Sequence, residues 1–185
     1  RRERGASSPL PPVNFLHVWW ARRPLTASRA AVLGSLLPAW PTAEEVTNDA
    51  QAAKILSGLQ EEFPGGEAEY PAWFLHALGI YGDPVAGRAK IQAANAAGVK
   101  LEGNGYGYDR AFTYTPDAET AARIDRLVAL RGSGESTVRV LDPFSGGGSI
   151  PFESARYGFA AIANELNPVA SAILQGTVDL PTKLG

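Results

Sequence analysis

Apolar residues recur at helical spacing over most of this chain and change to short continuous runs near its end. Leu25, Val32, Leu33, Leu36 and Leu37 fall on one face of a helix, with Pro24 suited to its first turn and Pro38 ending it. Thr42 can cap a second helix, running to about Phe63, with Glu44 and Glu45 near its positive end and Gly58 inside it. Pro64-Gly65-Gly66 breaks the pattern. Residues 70–80, YPAWFLHALGI, predict a buried helix. Asp83-Pro84 opens another, to about Ala97, closed by Gly98. Thr115-Pro116-Asp117 starts a helix with Ile124, Leu127 and Val128 on its face, and glycines at 132 and 134 end it. Between the last two helices lies a loop rich in glycine and tyrosine, residues 103–110. It reads either as a turn with two packing tyrosines or as a surface that stacks on bases or lines a cofactor.

The period then changes. An apolar run at 138–141 ends in Asp142-Pro143-Phe144, and a turn follows at Gly146-Gly147-Gly148. A helix is predicted from Ser149 to about Gly158. A second apolar run, 159–163, is followed by an acid, Glu165. Strand, glycine loop, helix, strand, acid is the front half of a nucleotide-binding α/β fold. A dinucleotide fingerprint starting at Gly146 would need glycine where Pro151 stands. A P-loop would need Lys-Ser/Thr where Ser149-Ile150 stand. Asp142 at the mouth of the loop would repel a phosphate and suits an ammonium group. S-adenosyl-L-methionine (AdoMet) carries an ammonium and no phosphate.

Asp142 ends the first strand, where ligands bind in open α/β sheets. Gly146 and Gly148 let the backbone approach a ligand without a Cβ in the way. The N-terminus of the next helix offers amides suited to a carboxylate, and Pro151 fits that first turn because it has no N–H. Glu165 can accept from two vicinal ribose hydroxyls. Asn167-Pro168 reads as a helix cap and first turn. The structural alternative is a tight strand-to-helix turn with a structural aspartate.

The stretch LDPFSGGGSIPFESARYGFAAIANELNPVA resembles the AdoMet-binding motifs I and II of DNA amino-methyltransferases. Residues 17–37, HVWWARRPLTASRAAVLGSLL, are similar to the WWARRP segment of large adenine-specific DNA methylases with a DUF1156-type N-terminus. The resemblance implies an α/β chain: a helical N-terminal section, 1–135, then the first strands of an incomplete Rossmann-like methyltransferase sheet, 136–185. It implies AdoMet as cofactor. Asp142, Pro143, Phe144, Ser145, Gly146, Gly148 and Ser149 would line the site from motif I, and Glu165, Leu166 and Asn167 from motif II. The family more often has Asp where Glu165 stands. The WWARRP segment occupies the place of motif X, where Arg22 or Arg23 would pair with the AdoMet carboxylate and Trp20 would cover the ligand. The alternative is a solvated pair of arginines beside core tryptophans. The family's Pro-Pro-Tyr/Phe catalytic loop, which holds a flipped base, is absent, so no catalytic residue is expected within this chain. The reading is the AdoMet-binding part of a DNA methyltransferase acting on an exocyclic amine, adenine in DNA. The alternatives are part of an RNA guanine amino-methyltransferase, or a non-catalytic AdoMet-binding subunit.

Composition narrows this further. With 45% hydrophobic and 19% charged residues, the chain reads as globular. It has no cysteine, so disulfides and Cys-ligated zinc are excluded within it, and His17 and His76 alone are weak grounds for a metal. No apolar run is long enough to span a membrane and no signal-peptide pattern is present, so a cytoplasmic protein is expected. The chain lacks Met and opens on Arg1, which reads as a fragment open at both ends; the resemblance implies DNA and the rest of the methyltransferase domain as its partners. Net charge is −2, yet residues 1–30 carry six arginines, Arg29 among them, against Glu3 alone. That basic arm suits local phosphate contacts or a solvated terminus.

Overall fold

Helix α1, Leu25–Leu36, buries Leu25, Ser28, Arg29, Val32 and Leu33, spacings that put all five on one side. The computed structural model that shows this describes residues 24–132 and 138–184. Pro24 precedes the first turn with φ −57°. The stripe expected from sequence is present, with two polar additions: Ser28 and a fully buried arginine.

The single helix expected from Thr42 to Phe63 is two helices, α2 (Ala43–Asn48) and α3 (Ala50–Glu62). Thr42 starts α2 with a capping box: its hydroxyl accepts the Glu45 N–H, and the Glu45 carboxylate accepts the Thr42 N–H at 2.7 Å. Asp49 makes the break. Its backbone is extended, and its carboxylate accepts the Gln51 N–H at 2.8 Å to cap α3. A short acid competes well for backbone amides, so it serves a new helix start better than a helix interior.

Helix α4, Glu69–Ala77, is not the buried element its composition suggests. Only Ala77 is fully covered, while Leu75 is 47% exposed. Its inner side is aromatic: Tyr70 and Trp73 lie 5.1 and 5.3 Å from the Phe63 ring. Near its end, His76 meets the Tyr81 ring at 4.8 Å. Helix α5, Pro84–Ala96, is capped by Asp83 and buries no residue. A single 3-10 turn, Ala111–Thr113, leads towards α6, Ala118–Ala129, where Asp117 caps the helix and Ile124 and Leu127 enter the core.

The chain then forms a βαβ unit. Strands β1 (Arg139–Asp142) and β2 (Ala160–Ala163) pair in parallel, with Leu141 opposite Ile162, and α7 (Ser149–Arg156) connects them. Helix α8 (Pro168–Leu174) runs through a π-helical stretch (Gln175–Asp179) into α9 (Leu180–Leu184). The boundary expected at 135/136 falls outside the described residues. The helical section and the βαβ unit share one core: Leu33, Leu59, Phe63, Ala77, Ile124 and Leu127 are fully buried beside Tyr157 and Phe159. Helix α1 packs along α7, and Val138 and Val140 join this core. The opposite face of the sheet is open, with Leu141 63% and Ile162 48% exposed.

Arg29 ties these parts together. Its Nε donates to Glu153 of α7 at 2.8 Å, and its Nη1 donates to the carbonyls of Leu78 and Ala111 at 2.7 and 2.8 Å. Arg156 adds bonds to the carbonyls of Phe112 and Tyr114. Burial pushes the Glu153 carboxyl up, against the pull of Arg29 and Arg156.

Arg29→Met should therefore destabilise the fold by about 3–5 kcal/mol in denaturant unfolding, because it removes the hydrogen-bonded partner of a buried carboxylate and leaves only Arg156, 3.6 Å away, beside it. The loss should depend on pH. Without Arg29 the folded carboxyl rises further above its unfolded value of about 4.3. The folded state then holds the proton more tightly, so the deficit is smallest in acid and grows as pH rises through the raised folded-state value. A pH-independent deficit would show that the ion pair is not what is lost.

Candidate functional site

The glycine loop leaves β1 at the carboxyl end of the sheet, the end where parallel α/β sheets bind ligands. Two short bonds stitch it to the end of β2. The Asp142 carbonyl accepts the Asn164 N–H at 2.9 Å, and the Ser145 N–H donates to the Asn164 carbonyl at 3.1 Å. The buried Ser145 hydroxyl also donates to the Asp142 carbonyl at 2.9 Å. The loop closes with the Gly148 N–H on the Ser145 carbonyl at 2.8 Å.

Gly146 and Gly148 both take left-handed backbone angles, φ +50° and +78°, which glycine adopts without a steric cost. Gly148 has a second reason to be glycine. A Cβ there would lie 2.7 Å from the Leu174 side chain, so the C-terminal helix is seated on it. Its bare backbone serves that packing.

Asp142 is 9% exposed. Its carboxylate accepts the Phe144 N–H at 3.3 Å, and no other bond to that side chain occurs among the described residues. Such a carboxylate fits an ammonium group. Glu165 lies across the loop. One oxygen accepts the Gly146 N–H at 2.7 Å and the other the Asn167 N–H at 3.1 Å. The amides of Asn167 and Gly146 hold its carboxyl below the usual range for glutamate. The bond from Gly146 to Glu165, 19 residues apart, thus brings the loop after β1, which Asp142 begins, beside Glu165. The carboxylate that could accept from hydroxyls is, here, bonded to the loop.

The other expected residues divide. Ser149 is buried at the start of α7. Phe144 and Leu166 are 82% and 87% exposed and stand open on the two loops after β1 and β2. Pro143 is exposed, and its carbonyl accepts from the Asn164 amide at 3.3 Å. The Asn167 side-chain oxygen accepts the Val169 and Ala170 N–H groups, so it caps α8 as its sequence suggested and is engaged there. Trp20, Arg22 and Arg23 lie outside the described residues. Glu165 also borders a cleft of about 600 Å³ between β2 and the C-terminal helix. A larger cavity, about 730 Å³, lies elsewhere, between the end of α1, α3 and α4.

Sequence reasoning missed Asn164, whose backbone joins the two loops, and the Arg29–Glu153 pair behind α7. A signal for the second existed. Arg29 is four residues after Leu25 and four before Leu33, on the same stripe. Among the described residues, no group of three or more His, Cys, Asp or Glu is placed to hold a metal ion. Among them, too, no helix is long and apolar enough to cross a membrane.

Residues 1–58 match the model of a family described as a protein of unknown function, DUF1156. That match spans α1, α2 and most of α3, and stops well before the glycine loop. The chain matches no curated protein and no solved structure.

The Glu165 bridge has a direct spectroscopic consequence. In amide NMR spectra, the Gly146 and Asn167 signals should move together as pH falls, with a midpoint below about 4.3. The sign follows from the lowered value: the bridge is present at neutral pH and lost as pH falls through the folded-state value. Glu165→Gln should abolish the common titration. Independent titration of the two amides would mean that one carboxylate does not join them.

Proposed function

We propose that this chain is the AdoMet-binding part of a DNA methyltransferase that methylates an exocyclic amine, adenine in DNA. The observation that carries the reading is the meeting of Asp142, the Gly146–Gly148 loop and Glu165 at the carboxyl end of two parallel strands. A phosphate ligand fits that end poorly, because the Asp142 carboxylate stands at the mouth of the loop. The family match over residues 1–58 agrees with the DUF1156-type likeness of the N-terminal segment. The open face of the sheet, with Leu141 paired to Ile162, supports the reading of β1 and β2 as the first strands of a larger Rossmann-like sheet. Parallel strands are ordinarily covered on both faces.

Bound at this end, AdoMet would supply an activated methyl group on its sulfonium. Asp142 would hold its ammonium, the amides at the start of α7 its carboxylate, and Glu165 the ribose hydroxyls after releasing the Gly146 N–H. Phe144 and Leu166 would offer apolar cover for an adenine ring. Transfer to a base needs a group that positions the exocyclic amine, and none is recognised in this chain.

The test is calorimetric titration of AdoMet, with thermal unfolding as a control for folding. Asp142→Asn keeps an acceptor for the Phe144 N–H while removing the charge. It should weaken binding by about tenfold to a hundredfold, the scale of a charged hydrogen bond. Gly146→Val places a β-branched residue at φ +50° and should weaken it about tenfold or more. Absence of AdoMet binding by the unaltered chain, or equal affinity in Asp142→Asn, would sink the cofactor reading. For the substrate, labelled methyl transfer to mixed-sequence DNA should be absent with residues 1–185 alone. Robust turnover would mean that the catalytic residues lie in this chain after all.

A further inference from the structure

Between Leu78 and Ala111 the chain leaves the core and returns to the same point. Both carbonyls accept from one guanidinium, that of Arg29. In between, no residue from 81 to 110 is fully buried. This arm is packed on itself. Tyr106 and Tyr108 lie where side chains on Gly87 and Gly82 would stand, 2.6 Å from each Cβ position, and Ile91 and Leu101 close around Gly105. A thirteen-residue helix, α5, is thus built and footed without contributing to the core.

The charges of α5 itself are all positive, and acids stand just outside it at Asp83 and beyond Leu101 at Glu102. From residue 84 to residue 101 there are three cations, Arg88, Lys90 and Lys100, and no acid, in a chain whose net charge is −2. None of the three is in an ion pair among the described residues. Along α5, Gly87, Ile91 and Ala94 face the tyrosine loop and are half-buried. Helical spacing then puts Val85, 75% exposed, with Ala89, Gln92 and Ala96 on the outward side and sends Arg88 and Lys90 to opposite flanks.

We propose that α5 with the residues to Leu101 is the surface by which this protein holds double-stranded DNA, with α5 in the major groove. The proposal rests on the DNA reading above and adds the element that makes the contact. A helix about 10–12 Å across fits a groove about 12 Å wide. Small outward residues allow close approach, cations on both flanks reach the phosphates on either side, and Gln92 presents an amide to base edges. Duplex RNA does not suit this surface, because its major groove is too narrow for a helix. The Arg29 clamp fixes the feet of the arm to α7, the helix that follows the glycine loop, so bound DNA would be held at a set position relative to that loop.

The experiment compares the full chain with an Arg88→Ala/Lys90→Ala/Lys100→Ala variant. Fluorescence anisotropy with a mixed-sequence DNA duplex is read over a series of salt concentrations, beside duplex RNA. All three side chains are exposed and outside the core, so thermal unfolding and AdoMet affinity should not change. DNA affinity at low salt should fall about tenfold or more, and the log–log salt slope should become shallower by about 2–3, near 0.9 for each phosphate no longer neutralised. Equal affinity and slope in the two proteins would overturn the proposal. So would tighter binding of duplex RNA than of duplex DNA, or AdoMet binding with no DNA binding at all. DNA binding that depends on these cations in a protein that binds no AdoMet would instead uphold this surface while removing the cofactor reading.

Discussion

The buried Arg29 guanidinium is the constraint on which the rest of the arrangement depends. It satisfies carbonyls at Leu78 and Ala111 and a carboxylate at Glu153, three positions that no local pattern relates. A fully buried ion pair does not have to add net stability to matter, since desolvating both charges costs about as much as their attraction returns. Its effect is on alternatives. A packing of α1 against α7 that separates the two charges leaves Arg29 without its carboxylate and Glu153 with only the 3.6 Å contact to Arg156 on its own helix. The pair therefore sets the register of α1 on α7 and the place where the 81–110 arm is rooted. The Ser149 end of α7 carries the glycine loop, and Glu153 is one turn further along the helix. Loop position and arm position follow from the same contact.

The legible parts of the sequence were those decided locally. Thr42, Asp83, Asp117 and Asn167 all cap the helices they precede, because a cap needs only an oxygen and amides two or three residues ahead. The glycine loop between two apolar runs is local in the same sense. Asp49 shows the limit of such reasoning: it can cap or continue a helix, and here it caps. Arg29 and Glu153 were illegible for another reason. They are 124 residues apart, and a charge on an apolar stripe looks like a surface residue until its partner is known. The aromatic wealth of residues 70–80 likewise pointed to burial, but burial depends on what lies on the far side of the helix. There Leu75 meets solvent. The tyrosines of residues 103–110 pack on Gly82 and Gly87, the plainer of their two readings, and this packing supports α5.

The sheet carries a second asymmetry. One face of β1 and β2 meets α7 and the shared core, while the other shows Leu141 beside Ile162. Two four-residue strands make a small sheet, and its parallel pairing has to be held by what packs on it. Here the support comes from one side, through Val138 and Val140 into the core that Leu33, Phe63 and Ile124 share. The βαβ unit is stable because the helical section is its other layer.

At the candidate site the same economy appears in Glu165. Its two oxygens join the loop after β1 to the turn after β2, so the carboxylate is structural before any ligand arrives. A ligand with vicinal hydroxyls would not find an idle acceptor. It would exchange its own O–H bonds for the Gly146 N–H bond, and the net gain would be the difference between them, smaller than either alone. Asp142 is placed differently. Its carboxylate holds one long bond to Phe144 and is otherwise uncommitted within the described residues, so a cation there adds an interaction without removing one. Of the two acids, Asp142 would be the one to contribute affinity for a cationic ligand. Glu165 is better placed to couple occupancy to the loop, because releasing Gly146 changes how the loop is held.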